Sequence, residues 1–181
     1  MLQSVCTSHP WLSGNSVLLV VMGVSGCGKS SVGKCVANRL GWSFLEGDTM
    51  HPVANVAKMH VGQPLDDADR RPWLDAIGRW MDARQAAGES AVIACSALKR
   101  RYRDRLRRGR PGVCFAWLKT SRAELERRLD RRTNHFMPSS LLDSQLATLE
   151  PPAPDEPALT IDANGDLDAT VRATLAALKL H

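Results

Sequence analysis

One eight-residue stretch, Gly23-Val24-Ser25-Gly26-Cys27-Gly28-Lys29-Ser30, constrains this chain more than any other. It matches G-x-x-x-x-G-K-[ST], a loop whose backbone N–H groups cradle phosphate oxygens. The motif needs a strand before it and a helix after it. Val17 to Met22 is an unbroken apolar run of strand type, and Val32, Val36 and Leu40 recur at helical spacing. The glycines let the backbone turn its amides inward, and the helix beginning near Gly28 adds its positive end. Lys29 places a charge on the β- and γ-phosphates of a nucleotide, and the Ser30 hydroxyl is a ligand for Mg²⁺. Residues 23 to 31, Ser31 included, therefore form the expected ATP-binding stretch.

The order of elements fixes the class. Runs of strand type at Trp42–Leu45, Ala91–Cys95, Val113–Leu118 and Ala158–Asp162 add four strands, each separated from the next by helical patterns. Ala91–Cys95 has no polar alternation, as expected of a parallel strand buried on both faces. The reading is α/β, a doubly wound five-stranded parallel sheet. At 181 residues, residues 17–181 suit a single domain after a loose tail over 1–16. No secretory pattern opens the chain, and no apolar run reaches the roughly 20 residues of a membrane helix. Five widely spaced cysteines without a C-x-x-C pair suit free thiols in a cytoplasm. Cys27 lies inside the phosphate loop, where exposure and thiolate character decide whether it oxidises.

In an open parallel sheet, ligands bind at the carboxyl ends of the strands. Three stretches fall there. Glu46-Gly47-Asp48 ends the second strand, and carboxylates at i and i+2 on a strand point to one side. One would hold Mg²⁺ through water while the other takes or orients the proton of an attacking hydroxyl. Ser96 and Lys99 follow the third strand, which ends without the aspartate that often handles the metal. Arg70 follows Asp66-Asp67-Ala68-Asp69, with Pro72 in the first turn of a helix whose buried stripe is Trp73, Ile77, Trp80 and Met81. Arg70 either clamps a carboxylate bidentately or pairs locally with Asp66 or Asp67. Arg127, Arg128, Arg131 and Arg132 end a helix capped by Ser121. A polar break follows, and then a helix with Leu142, Leu146 and Leu149. This excursion, about 133–150, reads as a lid. The last helix is expected to bury Leu167, Val171, Leu175 and Leu178. The net charge is +5, and Lys99–Arg110 holds eight Lys/Arg in twelve residues around an apolar face of Tyr102 and Leu106. A nucleotide-dependent RNA-binding protein using that run is an alternative of another class.

Longer blocks are more specific. Glu46-Gly47-Asp48-x-x-His51-Pro52-x-x-Asn55-x-x-Lys58-Met59 is followed by Gly62-x-Pro64-Leu65-x-Asp67-x-Asp69-Arg70-x-Pro72-Trp73-Leu74 and Cys95-Ser96-Ala97-Leu98-Lys99-x-x-Tyr102-Arg103-Asp104. Arg132-x-x-His135-Phe136 and Gln145-x-x-x-Leu149-Glu150-x-Pro152 come later. Together they resemble gluconokinases of the phosphate-loop type, from about Val17 nearly to the C-terminus. The resemblance implies the fold of nucleoside-monophosphate and shikimate kinases, with a substrate-binding helical region at about 49–72. It implies transfer of the γ-phosphate of ATP to the 6-hydroxyl of D-gluconate, Mg²⁺ as cofactor and a homodimer. Asp48 would meet the acceptor hydroxyl and Glu46 would sit near Mg²⁺. Arg70 would hold the substrate carboxylate, with His51, Ser96 and Lys99 around the same substrate. Arg128 would lie against the adenine, and Arg132 would be the lid arginine. The chain departs from the pattern at Glu46, where aspartate is common, and at Asn134, where many members have glycine. A kinase of shikimate or another small hydroxy acid is the alternative on the same fold.

Overall fold

The structure, a computed structural model, describes residues 16–131 and 139–179. Five strands form one parallel sheet in the order β2-β3-β1-β4-β5: β1 Leu18–Met22, β2 Ser43–Glu46, β3 Ala91–Ala94, β4 Val113–Lys119 and β5 Ala158–Asp162. The five residues of β1 are all 0 % exposed, which explains why this strand has no polar positions. Its side chains divide between two cores. Leu19 and Val21 face α1 (Lys29–Leu40), α5 (Arg122–Asp130), α6 (Ser139–Thr148) and α7 (Leu167–Leu178). Leu18, Val20 and Met22 face α3 (Asp67–Ala86) and α4 (Arg100–Arg107). Each fully buried aliphatic side chain in these layers contributes about 1.5–3 kcal/mol. The remaining helix, α2 (Val53–His60), lies off the sheet and leaves Val53, Met59 and the following Val61 exposed.

Several boundaries differ from the sequence reading, each for a local reason. β2 runs from Ser43 to Glu46, and Gly47–Met50 forms a 3-10 turn. Asp48 therefore sits on a turn, and strand alternation does not govern its direction. Helix α3 begins at Asp67, because Asp66 and Asp69 form a capping box there. Asp66 accepts from the Asp69 N–H at 2.7 Å, and Asp69 accepts from the Asp66 N–H at 3.1 Å. This reciprocal cap moves the helix start upstream, so Pro72 lies in the second turn and not in the first. Trp73, Ile77 and Met81 are buried as expected, with Leu74, while Trp80 is only partly covered. In α7, Val171 and Leu178 are buried, but Leu167 is 44 % exposed.

Register sets the level of the candidate site. Glu46 pairs with Ala94, and Ala94 pairs with Val21, one residue short of the end of β1. At the usual strand spacing this puts Glu46 about 10 Å across the sheet from the strand that feeds the phosphate loop. Gly47 then follows β3 so closely that a Cβ there would stand 2.4 Å from the carbonyl oxygen of Ala94. Only glycine lets the chain leave the sheet at this point.

Candidate active site

The phosphate loop adopts the conformation its glycines permit. Gly23, Gly26 and Gly28 have φ of +141°, +85° and +101°, values that L side chains rarely take. Gly28 is the left-handed residue from which α1 starts. Lys29 folds its ammonium back onto the carbonyl of Val24 at 3.0 Å, and the Gly23 N–H donates to the Ser96 carbonyl at 3.3 Å. The loop is therefore tied to the Ser96–Lys99 segment beyond β3. Ser25 donates its N–H to Gln145 Oε1 at 2.7 Å, a link from α6 across 120 residues of chain. Sequence reasoning placed Gln145 in a block but gave it no role. Cys27 is 0 % exposed beneath the loop. Cys27, Cys35, Cys95 and Cys114 are all free thiols.

Beside the loop is a cavity of about 370 Å³, whose walls include Cys27, Gly28, Ser31, Arg128, Gly165 and Leu167. Leu167 thus lines a cavity and is not a core residue, which accounts for its exposure. Arg128 Nε binds Glu124 at 2.6 Å and Nη1 donates to the Cys27 carbonyl at 3.1 Å. Nη2 donates to the carbonyls of Ala163 and Gly165 at 2.7 and 2.9 Å. With its edge committed, the guanidinium has its flat face left to offer, a surface on which an aromatic ring stacks. Hydrogen bonds from Arg127 and Arg128 hold the Glu124 carboxyl at about 2, against a smaller opposing effect of burial. A larger depression of about 470 Å³ lies by Trp42, Ser43, Arg84 and Ser90, at the amino ends of β2 and β3. It is at the wrong end of the sheet for the loop.

The candidate acceptor side is the 3-10 turn at Gly47–Met50. The indole N–H of Trp73 donates to the Gly47 carbonyl at 2.7 Å, in the core. The other face of this function is His51, whose ring stacks on Trp73 with centroids 4.2 Å apart and planes 13° apart. Trp73 is therefore a core residue and also the support of the Asp48 turn; a buried indole needs a partner for its N–H, which was the available signal. Asn55, 3 % exposed, donates to the Asp69 carbonyl at 2.7 Å and approaches His51 Nδ1 at 3.4 Å. Lys58 grips both Asp69 carboxylate oxygens at 2.6 and 2.8 Å. These contacts lock α2 to the start of α3. Burial lowers the His51 pKa below 6.5, with nearby Asp48 opposing and nearby Arg70 reinforcing.

Electrostatics shows the convergence directly. The buried Cys95 thiol at the end of β3 is pushed up to about 12, first by desolvation, then by Asp48, with a further push from Glu46 and opposition from Lys29. Lys29, Glu46 and Asp48 are thus each near enough to the end of β3 to act on this thiol. The thiol itself stays protonated and is no metal ligand.

Charge pairing divides the candidate residues into paired and unpaired ones. Asp67 pairs with Lys99 at 3.1 Å and with Arg101, Asp69 with Lys58, and Asp75 with Arg105. Among the described residues, no cation pairs with Glu46 or Asp48, and no carboxylate pairs with Arg70. The local pairing of Arg70 with Asp66 or Asp67 is absent because Asp66 caps the helix and Asp67 is held elsewhere. Arg70 Nη1 donates to the Leu65 carbonyl at 2.8 Å. Ser96 is half-buried, and Lys99 reaches the site with its ammonium already on Asp67. Arg132, with the remainder of the expected lid break through Pro138, lies outside the described residues.

The donor set suits magnesium, a hard cation that takes oxygen ligands and keeps several waters. Ser30 Oγ and the unpaired carboxylates of Glu46 and Asp48 are such oxygens beside a phosphate loop. Among the described residues no cluster of three or more His, Cys, Asp or Glu side chains forms a metal cage, as expected where phosphates and water complete the shell. The basic run Lys99–Arg110 is largely neutralised. Arg100 binds Asp155, Arg103 binds Glu156, Arg105 binds Asp75 and Arg110 binds Asp82, besides the Asp67 pairs. Pairing of six of its eight cations weakens the RNA-binding reading. No helix among the described residues is long and apolar enough to cross a membrane.

Comparison with known proteins agrees with this geometry. A family model described as "AAA domain" matches residues 18–152. A gluconokinase of Gluconobacter oxydans is 53 % identical over 153 residues, covering 84 % of this chain and 86 % of that protein. The crystal structure of a gluconokinase from Sinorhizobium meliloti superimposes with a TM-score of 0.82 at 49 % identity, covering 91 % of this chain and 93 % of the other. A shikimate kinase from Aquifex aeolicus, at 11 % identity and a TM-score of 0.57, shares the fold alone, over 90 % of this chain and 96 % of its own. A parallel sheet leading into a phosphate loop, with this extent of identity over most of the chain, places the chain in the gluconokinase family of phosphate-loop kinases.

Proposed function

We propose that this chain transfers the γ-phosphate of ATP to the 6-hydroxyl of D-gluconate, in the cytoplasm. The observation that carries this reading is the set of uncommitted charges beside the loop: Glu46, Asp48 and the free edge of Arg70. ATP lies with its phosphates on Gly23–Ser30 and its base between the face of Arg128 and Leu167. Ser30 and Glu46 would hold Mg²⁺, which when bound draws charge from the β- and γ-phosphates. Gluconate lies between the 3-10 turn and the Ser96–Lys99 loop, its carboxylate on Arg70 and its far end at Asp48.

The Asp48 carboxylate accepts the proton of the 6-hydroxyl as that oxygen bonds to the γ-phosphorus. The bond from that phosphorus to the bridging oxygen breaks, and ADP leaves with the electron pair. Lys29 releases Val24 and turns to the transferring group. Positioning and charge neutralisation supply most of the acceleration in such transfers. His51, neutral near pH 7 because burial disfavours its charged form, presents an imidazole beside Asp48 without adding a cation next to Arg70.

The test is ADP formation with ATP and Mg²⁺ over a panel of acceptors: D-gluconate, shikimate, glucose, AMP and none. ADP appearing with gluconate alone supports the assignment. Turnover of shikimate in place of gluconate would overturn the substrate while keeping the reaction class.

A further inference from the structure

We propose that Tyr102 is a positioning residue for Arg70, and that through it the site selects an acceptor carrying a carboxylate over the neutral polyol of the same carbon chain. The inference rests on the assignment of Arg70 to the substrate carboxylate.

Tyr102 is the third residue of α4 and is 5 % exposed. Periodicity alone makes it part of an apolar helix face. Its hydroxyl does more. It donates to Asp67 Oδ1 and receives an N–H from Arg70 Nη1 at 3.4 Å. The second Nη1 hydrogen goes to the Leu65 carbonyl. A guanidinium is a rigid planar fork, so engaging both hydrogens of one terminal nitrogen fixes the plane of the whole group. The edge made by Nε and Nη2 remains. Neither atom has a partner among the described residues, and neither is buried. That edge is the one that meets a carboxylate with two parallel hydrogen bonds.

The ring gathers charge as well. Arg70 Cζ, Lys99 Nζ and Arg101 Cζ lie 5.7, 5.6 and 5.8 Å from its centroid. Three cations thus surround one phenol, with Asp67 as the carboxylate that pairs with Lys99 and Arg101. The cluster keeps an excess of positive charge that an anionic acceptor would offset. Tyr102 also restrains Asp67. While its hydroxyl holds Oδ1, the carboxylate stays away from the free edge of Arg70. Without it, Lys99 and Arg101 alone hold Asp67, and its restraint away from the free edge of Arg70 weakens.

The experiment compares the wild-type chain with Tyr102→Phe, which keeps the ring and removes the hydroxyl. Michaelis constants are measured for ATP and gluconate. Glucitol, which replaces the carboxylate by a hydroxymethyl group, is measured as a substrate or, if not turned over, as a competitive inhibitor. The expected result is about a tenfold rise in the gluconate constant, with the ATP and glucitol constants unchanged within about twofold. Added to Arg70→Met, the same substitution should cause no further loss, because the group it positions is gone. If gluconate and glucitol weaken together, or if the loss persists in the Arg70→Met background, Tyr102 is packing alone and the inference fails. If Arg70→Met leaves gluconate binding intact, the Arg70 assignment itself falls, and this inference with it.

Discussion

Arg103 and Glu156 form an ion pair whose side chains are both 0 % exposed, and its removal gives the sharpest test of how the substrate side is held together. Arg103 Nε and Nη2 donate to the Glu156 carboxylate at 2.6 and 2.9 Å. Nη1 donates to the carbonyls of Ala97, Leu98 and Glu150 at 3.2, 3.2 and 3.0 Å. Arg103→Met keeps an apolar stem but strands a buried carboxylate with only the Ala153 N–H, at 2.8 Å, still bound to it. Leaving a buried charge without its partner costs about 3–5 kcal/mol, a large part of the roughly 5–15 kcal/mol that stabilises a domain. Removing both charges, as in Arg103→Met with Glu156→Met, also removes the cost of desolvating them. The double variant should therefore lose at least about 1 kcal/mol less than the sum of the two singles. Urea unfolding at 25 °C reads all three. A loss below about 1 kcal/mol for Arg103→Met, or strict additivity, would refute this reasoning. There is also a pH signature. Burial pushes the Glu156 carboxyl up, but Arg103 and the Ala153 N–H outweigh it, and the group titrates below 4.5. A depressed carboxyl contributes stability that is full above pH 4.5 and is lost as the pH falls through its folded value. Glu156→Gln should flatten that acid limb. The pair matters to the site because Ala97, at φ +42°, lies in the Ser96–Lys99 loop, and Arg103 holds its carbonyl.

Two further outcomes follow from the 3-10 turn. Gly47→Ala puts a methyl group 2.4 Å from the Ala94 carbonyl oxygen, a backbone atom that cannot rotate away. The turn must shift, costing about 1–3 kcal/mol and displacing Asp48, so kcat with gluconate should fall while ATP affinity stays; an unchanged kcat would contradict the role of the turn. His51 has a folded pKa below 6.5, so the stability gained by burying its neutral ring is present above pH 6.5 and is lost as the pH drops through the folded value. An NMR titration of the ring should show a midpoint below 6.5, and a midpoint above it would mean that Asp48 outweighs burial.

Val20, Val92 and Cys114 show why the fold was legible. Strands covered on both faces carry no polar positions, and the loop motif states its own context of strand and helix. The errors arose where a side chain serves a local cap or a cavity. Asp66 and Asp69 cap each other and draw the helix start upstream of Pro72, which no hydrophobic period reports. Leu167 looks like core at helical spacing, but it faces the cavity beside Arg128. Lys29, Asp48 and Arg70, whose roles are proposals, stood out because each follows a strand or opens a helix in a recognisable block. Their supports did not. Gln145 reaches Ser25, Trp73 reaches Gly47 and Tyr102 reaches Asp67 only in three dimensions, across 120, 26 and 35 residues of chain. The basic helix misled in the other direction, since its acidic partners Asp67, Asp75, Asp82 and Glu156 are far away in sequence.

The central claim is that Asp48 handles the proton of the acceptor hydroxyl while ATP is held by other groups. The most direct measurement is gluconate-dependent ADP formation by Asp48→Asn, alongside ATP binding by the same variant. A fall in kcat of about 10²–10⁴-fold, with ATP affinity unchanged, is the predicted result. A kcat within about threefold of wild type would contradict the account and move the acid–base role away from Asp48, with Glu46 the next carboxylate to test.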